Sequence, residues 1–216
     1  MRTVAVVDYG SSNLKSVTRA LAHVAGARWR VEVAASGAEI TRADAVVFPG
    51  QGAIGDCMRR LAEHDLVVPL ERAIATKPFL GICLGLQSLM DHSDEDGGVR
   101  CLGGVPGNTV RLAPDATDPD TGLKLKIPHM GWNAVHWTRA HPVIGDLGAG
   151  ERFYFVHSYV VVPDDPTVVI GRTDYGGPLT VAVARDNLFA VQFHPEKSAD
   201  AGLTLLSNFL AWDPAR

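Results

Sequence analysis

The sequence predicts one α/β domain over residues 1–216, with a central mixed, mostly parallel sheet flanked by helices. Three observations carry this. The first half alternates short apolar, β-favouring runs with segments whose apolar residues recur at helical spacing, the pattern of crossovers between parallel strands. The second half holds a series of shorter strand-like runs, two of them joined by a tight turn. The length of 216 residues supports one sizeable core and is short for two, and a hydrophobic content of 46% fits a packed interior.

Taken in order, residues 3–9 read as a β-rich strand and residues 13–24 as a helix, with apolar residues on one face. Residues 29–34 alternate as a strand, and residues 45–48 form a short buried one. Residues 54–62 and 66–75 have helical spacing, residues 79–82 form the next strand, and residues 84–90 form the helix after it. Tyr9, Pro49 and Cys83 each follow or close a strand. In open α/β sheets that places their loops on one rim, beyond the carboxyl ends of the strands, where ligands bind. Further on, residues 103–111, 125–127, 134–137, 153–157 and 168–173 read as strands. Residues 179–185 and 188–193 flank the turn Asp186-Asn187, residues 200–211 form a last helix, and the Pro/Asp/Thr-rich stretch 113–122 is an exposed loop.

The chemistry concentrates at Gly81-Ile82-Cys83-Leu84-Gly85, where an apolar run stops at a cysteine framed by glycines and a helical pattern begins. This is the strand–sharp turn–helix of a nucleophile elbow, written with cysteine. Glycine fits because the turn crowds the backbone, and a helix N-terminus favours a thiolate. A base is needed next. His194 ends the alternating run Phe189-Ala190-Val191-Gln192-Phe193, and Glu196 lies two positions on, where an extended chain would point it the same way. Cys83, His194 and Glu196 thus form a nucleophile, an acid/base and an orienting carboxylate.

The pair G-x-C-x-G-x-Q and F-H-P-E resembles the class I, or triad, glutamine amidotransferases, in this order and across most of the chain. The resemblance implies a flavodoxin-like α/β fold and hydrolysis of glutamine through a cysteine thioester. Asp8-Tyr9-Gly10-Ser11-Ser12-Asn13-Leu14, Pro128-His129-Met130-Gly131-Trp132-Asn133, His157-Ser158-Tyr159 and Phe193-His194-Pro195-Glu196-Lys197-Ser198 narrow it to one branch. Members of that branch supply ammonia to a (β/α)8-barrel cyclase in histidine biosynthesis. By the same resemblance the oxyanion hole uses the backbone N–H groups of Gln51 and Leu84. Gln51 stands in Pro49-Gly50-Gln51-Gly52, where the family usually has valine. Gly52, Gln87, Glu95, Ser158 and Tyr159 match glutamine-binding positions, with Asp94 and Asp96 as neighbouring acidic candidates. Asn13, Met130, Trp132 and Lys197 match the face toward the barrel, and Ser12 stands where glycine is common. Core packing is the competing reading for Met130 and Trp132.

Other classes are disfavoured. A net charge of −4 without a basic stretch argues against nucleic acid. No apolar run reaches membrane-helix length, and the chain starts on a strand without a signal-peptide pattern, so a cytoplasmic location is expected. Cys57, Cys83 and Cys101 lack disulfide or zinc spacing, and Cys57 and Cys101 read as small buried hydrophobes. His129 and His157 read as structural, since neither has a carboxylate two residues on. No metal or cofactor is expected. Three rivals stay open: the glutaminase of anthranilate or pyridoxal phosphate synthesis, a catalytically silent scaffold that regulates a cyclase, and a cysteine peptidase.

Overall fold

The computed structural model describes residues 1–10, 14–118 and 121–215. Asn13 and Ser12, two residues the sequence assigns to the partner-facing loop, lie outside them. The first half runs β1 (Arg2–Val7), α1 (Leu14–Val24), β2 (Trp29–Ala34), α2 (Gly37–Arg42), β3 (Ala45–Gly50), α3 (Ile54–Glu63), α4 (Val67–Thr76), β4 (Phe79–Cys83) and α5 (Leu84–Gln87). The second half runs β5 (His92–Ser93), β6 (Val99–Arg100), β7 (Gly107–Arg111), β8 (His129–Ala134), β9 (His136–Trp137), β10 (Arg152–His157), β11 (Tyr159–Pro163), β12 (Val169–Asp174), β13 (Pro178–Arg185), β14 (Leu188–Val191) and α6 (Ala199–Ala211).

An eight-stranded sheet in the order β2-β1-β3-β4-β14-β13-β12-β9 forms the centre. Its first five strands are mutually parallel, and β13, β12 and β9 continue it antiparallel. A four-stranded sheet, β11-β7-β5-β6, and the pair β10-β8 flank it. The inner parallel strands β3, β4 and β14, and β1 from Val4 on, are buried on both faces, as helices on each side require, while the edge strand β2 is partly exposed. Along β1, Val4 and Val6 join a core with Val17 and Leu21 of α1 and Leu205 and Phe209 of α6. Ala5 and Val7 join the opposite core, with Ile40 of α2, Leu61 of α3 and Leu70 of α4. Each valine or leucine buried in these layers contributes roughly 1.5–3 kcal/mol of transfer free energy.

Most sequence-based elements stand within a residue or two, and the differences have local causes. Helix α2 was not expected. It starts on a capping box in which the Ser36 side chain accepts from Glu39 N–H and Glu39 Oε2 accepts from Ser36 N–H at 2.9 Å. The S-x-x-E pattern that forms it is present in the sequence. The strand expected over residues 103–111 begins only at Gly107. The strand expected over residues 125–127 is absent: Lys124 makes a single bridge to Thr117, and Leu123 is exposed, so the alternation there has no sheet to join. The helix expected over residues 84–90 ends as α5 at Gln87 and continues as turns to Met90.

Candidate active site

Cys83 ends β4 with φ 56° and ψ −109°, a left-handed conformation rare outside glycine. Such strain persists only where the surroundings enforce it, and here two packed glycines do. A Cβ on Gly85 would lie 1.9 Å from the Phe48 carbonyl oxygen of β3, and one on Gly50 would lie 2.8 Å from both Leu84 Cβ and the Tyr9 hydroxyl. The close approach of α5 to β3 therefore requires residues without side chains, and it projects the cysteine over the strand ends. Gly50 pairs with Cys83 across β3 and β4, so the Gly50–Gln51 peptide lies beside the nucleophile. Leu84 opens α5, and its N–H has no partner within the helix.

His194 follows β14 and is anchored by its N–H to the Tyr154 carbonyl of β10 at 2.9 Å. Its ring Nδ1 lies 2.8 Å from Glu196 Oε1, and both side chains are buried. The spacing of Glu196 two residues on predicts that contact through an extended backbone. In the structure Pro195–Lys197 is a single 3-10 turn, and the carboxylate reaches the ring by that turn. Ser198, fully buried, holds the turn: its hydroxyl donates to the His194 carbonyl at 2.6 Å and accepts from Tyr154 N–H at 3.0 Å. Burial alone would lower the pKa of His194. Interaction with the Cys83 sulfur and with Glu196 overrides it and pushes the ring up to about 10. No hydrogen bond of ordinary geometry closes on Nε2, which suits a resting site, since catalytic hydrogen bonds commonly tighten only with substrate.

These elements enclose a cavity of about 260 Å³, lined in the first half of the chain by Gln51, Gly52, Cys83, Leu84, Gln87 and Glu95. From the second half Pro128, Val156, His157, Ser158, Tyr159 and His194 line it as well. The sequence-proposed oxyanion and glutamine-contacting residues thus share one cavity with the nucleophile and base. Of the acidic run, only Glu95 lines it. Its Oε2 accepts from Ile54 N–H at 3.0 Å at the start of α3, while Asp96 accepts from Gly55 N–H at 3.2 Å. Burial pushes the Glu95 carboxyl above its ordinary value. Cys57 and Cys101 lie buried away from the cavity, and burial drives their thiols up to about 11 and about 12. No group of histidine, cysteine and carboxylate side chains among the described residues is arranged to hold a metal.

His129 and His157, which the sequence reads as structural, form a hydrogen-bonded pair that it does not reveal. His157 Nδ1 lies 2.8 Å from the Tyr159 carbonyl, an acceptor, so Nδ1 carries the proton. His157 Nε2 then accepts from His129 Nδ1 at 2.9 Å, and His129 Nε2 accepts from the Asn133 amide at 3.3 Å. Burial lowers His157 to about 4 and His129 to about 3, so both are neutral near pH 7. Each stands in a motif segment of its own, and only the pairing of β10 with β8, His157 opposite His129, brings the two together. Met130 and Trp132 on β8 are 61% and 45% exposed, which excludes core packing for them, and Lys197 is exposed beside the Tyr154 ring.

These shifts set the pH dependence of folding. His129 and His157 bind protons more readily unfolded, near pH 6.5, than folded. Their contribution is present above about pH 6.5 and is lost as pH falls toward 4. His194 is the reverse: its contribution is present below about 6.5 and lost as pH rises toward 10. Each group contributes up to about 1.4 kcal/mol per pH unit in its window. The thermal midpoint is expected to peak near neutrality and fall on both sides. A flat midpoint between about pH 5 and about pH 9 contradicts these assignments.

Comparison with known proteins bears on this site. A family model described as glutamine amidotransferase class-I matches residues 5–212. The chain is 53% identical to the imidazole glycerol phosphate synthase subunit HisH of Thiobacillus denitrificans, covering 98% of this chain and 92% of that one. It is 52% identical to the protein of the same name from Nitrosococcus oceani, covering 99% of both. Among solved structures it resembles a glutamine amidotransferase at 16% identity and a TM-score of 0.71, with 97% of this chain and 99% of that one covered. It also resembles the glutaminase domain of Trypanosoma brucei CTPS with bound acivicin, at 16% identity and a TM-score of 0.62, covering 99% and 95%. At that identity the solved structures speak to the fold.

Proposed function

Because this chain belongs to the class I glutamine amidotransferase family, we infer that it is the glutamine amidotransferase subunit of an imidazole glycerol phosphate synthase. It is an enzyme of histidine biosynthesis that takes glutamine as substrate and works in a complex with a second subunit. The observation that carries the reading is the 2.8 Å contact between His194 and Glu196 beside a strained cysteine in the same cavity.

In this mechanism the Cys83 thiolate attacks the γ-carboxamide carbon of glutamine. The negative charge that develops on the carbonyl oxygen is met by the N–H groups of Leu84 and Gln51. His194, protonated near pH 7, gives its proton to the departing nitrogen; ammonia leaves and a glutamyl thioester remains. Neutral His194 then takes a proton from water as it attacks the thioester. Collapse releases glutamate and restores the thiolate–imidazolium pair. Glu196 holds the ring and stabilises its charge.

Gln87 spends both amide protons inside the protein, on the Tyr159 carbonyl at 3.2 Å and on Gln192 Oε1 at 3.0 Å. What it offers a ligand is Oε1, an acceptor suited, with Glu95, to the α-ammonium of glutamine. Gly52, Ser158 and Tyr159 complete that pocket.

The acceptor of ammonia is the partner, which we read as a (β/α)8-barrel cyclase that receives ammonia through its interior and makes imidazole glycerol phosphate and AICAR. Met130, Trp132 and Lys197, with Asn13 from the first loop, belong to the docking face; exposed aromatic and methionine side chains are enriched in interface cores. A cytoplasmic location is part of the same reading, and no helix among the described residues is long and apolar enough to cross a membrane.

The decisive assay measures glutamine hydrolysis by the chain alone, with the cyclase, and with the cyclase holding its nucleotide substrate. The expected result is a rise of about 5- to 150-fold from the first condition to the last, the scale of a 1–3 kcal/mol coupling between sites. Equal rates in all three conditions would falsify the coupled reading, and no hydrolysis in any of them would remove the glutaminase assignment.

A further inference from the structure

One buried polar side chain at the site has no role in the reading above, although it touches the reacting atom. Gln192 lies on the segment leading to His194 and is fully buried. Its backbone N–H donates to the Val181 carbonyl of β13 at 2.8 Å, which fixes where the side chain starts. The side-chain Nε2 lies 3.6 Å from Cys83 Sγ, an ordinary separation for an N–H donor on sulfur. Besides His194, Cys83 Sγ also neighbours the Val156 carbonyl oxygen at 4.0 Å, which accepts from a thiol and offers nothing to a thiolate.

The orientation of the Gln192 amide follows from its neighbours. The Tyr159 carbonyl can only accept, so the Gln87 nitrogen must point at it. That same nitrogen also reaches Gln192, which must therefore present its oxygen. With Oε1 committed to Gln87, Nε2 is turned to the sulfur. The Tyr159 carbonyl is held from its other side by His157, which is in turn held by His129 and Asn133. One backbone oxygen thus sets the direction of the donors from His129 to the nucleophile, and the Asp174 carbonyl independently fixes that of Asn133. A flipped Gln192 would set two oxygen-bearing or two nitrogen-bearing ends against each other in a buried place, at the cost of an unpaired polar group.

We propose that Gln192 is a further catalytic residue, whose amide N–H donates to the Cys83 sulfur and stabilises its thiolate, held in the donating orientation by Gln87 and the Tyr159 carbonyl. This rests on Cys83 being the nucleophile, and it adds a donor on the sulfur to the donors that serve the substrate's oxyanion. A hydrogen bond to the charged form of a group favours that form. Losing it displaces the reactivity of the sulfur to higher pH, with little effect on glutamine binding.

The test compares the parent complex with Gln192→Met, which keeps length and removes the donor to Cys83 together with the acceptor for Gln87, whose amide stays held by the Tyr159 carbonyl. Iodoacetamide alkylation of Cys83, read by mass spectrometry of its peptide, is followed against pH. The pH–rate profile is expected to move up by about one unit, with alkylation on its rising limb slowed about tenfold. The kcat for glutamine should fall about tenfold or more while KM stays within about threefold. A profile that superimposes on the parent's, in a variant with the parent's partner binding, overturns the proposal. If Gln192→Met does not fold, the parent decides: the Gln192 side-chain amide proton resonance should shift when Cys83 is alkylated, and an unmoved resonance overturns it equally. Alkylation needs no glutamine turnover, so a parent complex that fails to hydrolyse glutamine counts against the glutaminase reading and leaves the hydrogen bond to be judged by these measurements.

Discussion

Cys83→Ala is expected to abolish glutamine-dependent synthesis in the assembled complex while leaving synthesis from free ammonia. The loss should be about 10⁴-fold or more, because removal of a nucleophile leaves only binding and oxyanion donors to assist water. Ammonia-dependent turnover belongs to the partner and needs no sulfur from this chain. The fold should survive, since alanine is smaller than cysteine and the side chain faces the cavity. The measurement is product formation with glutamine and with ammonium salt, side by side. Retained glutamine-dependent turnover would exclude Cys83 as nucleophile. Loss of both activities would point to a failure of assembly, which a binding assay separates.

Gly85→Ala is expected to be strongly destabilising. Its Cβ would lie 1.9 Å from the Phe48 carbonyl oxygen and 3.0 Å from the Phe48 carbonyl carbon. Both are backbone atoms of β3, held in register with β4 by the pairing of Phe48 with Gly81, so neither can give way without breaking the sheet beside the nucleophile. The cost should be about 3 kcal/mol or more, as for other overpacked interiors. At this chain length that lowers the thermal midpoint by roughly 10 °C. Gly148→Ala serves as control: its Cβ would meet only Glu151 Oε2, at 3.7 Å, and the midpoint should hold within about 2 °C. Equal midpoints for the two variants would show that α5 does not need the close approach.

The two predictions draw on different sources of information. The first was legible in the residues, because an elbow needs a nucleophile between small residues and a triad needs a histidine followed closely by a carboxylate. The alternating strand and helix patterns of the first half were legible for the same kind of reason: each is a local periodicity that a buried face imposes on its own segment. Even α2, which was missed, had its capping box in view at Ser36 and Glu39. The second prediction was only half legible. The glycines could be seen, but not that Gly85 faces the Phe48 carbonyl at contact distance. The alternating run near Leu125 looked like a strand and is none, because a strand is defined by a neighbour and no sequence window contains one.

The sequence by itself determined the chemical identity of the site: a cysteine at a sharp turn, a histidine at a strand end, a carboxylate in reach, and a sheet to carry all three. These are short-range properties, set by spacing and by which residue types tolerate a given backbone. Only the tertiary structure decided which polar groups meet across the chain. His157 finds His129 through an antiparallel pairing, Gln192 finds Cys83 and Gln87 across β14, β4 and α5, and Glu95 finds the start of α3. The direction of each buried hydrogen bond depends on which end of its partner is already taken, and that is settled by packing between segments far apart in the chain.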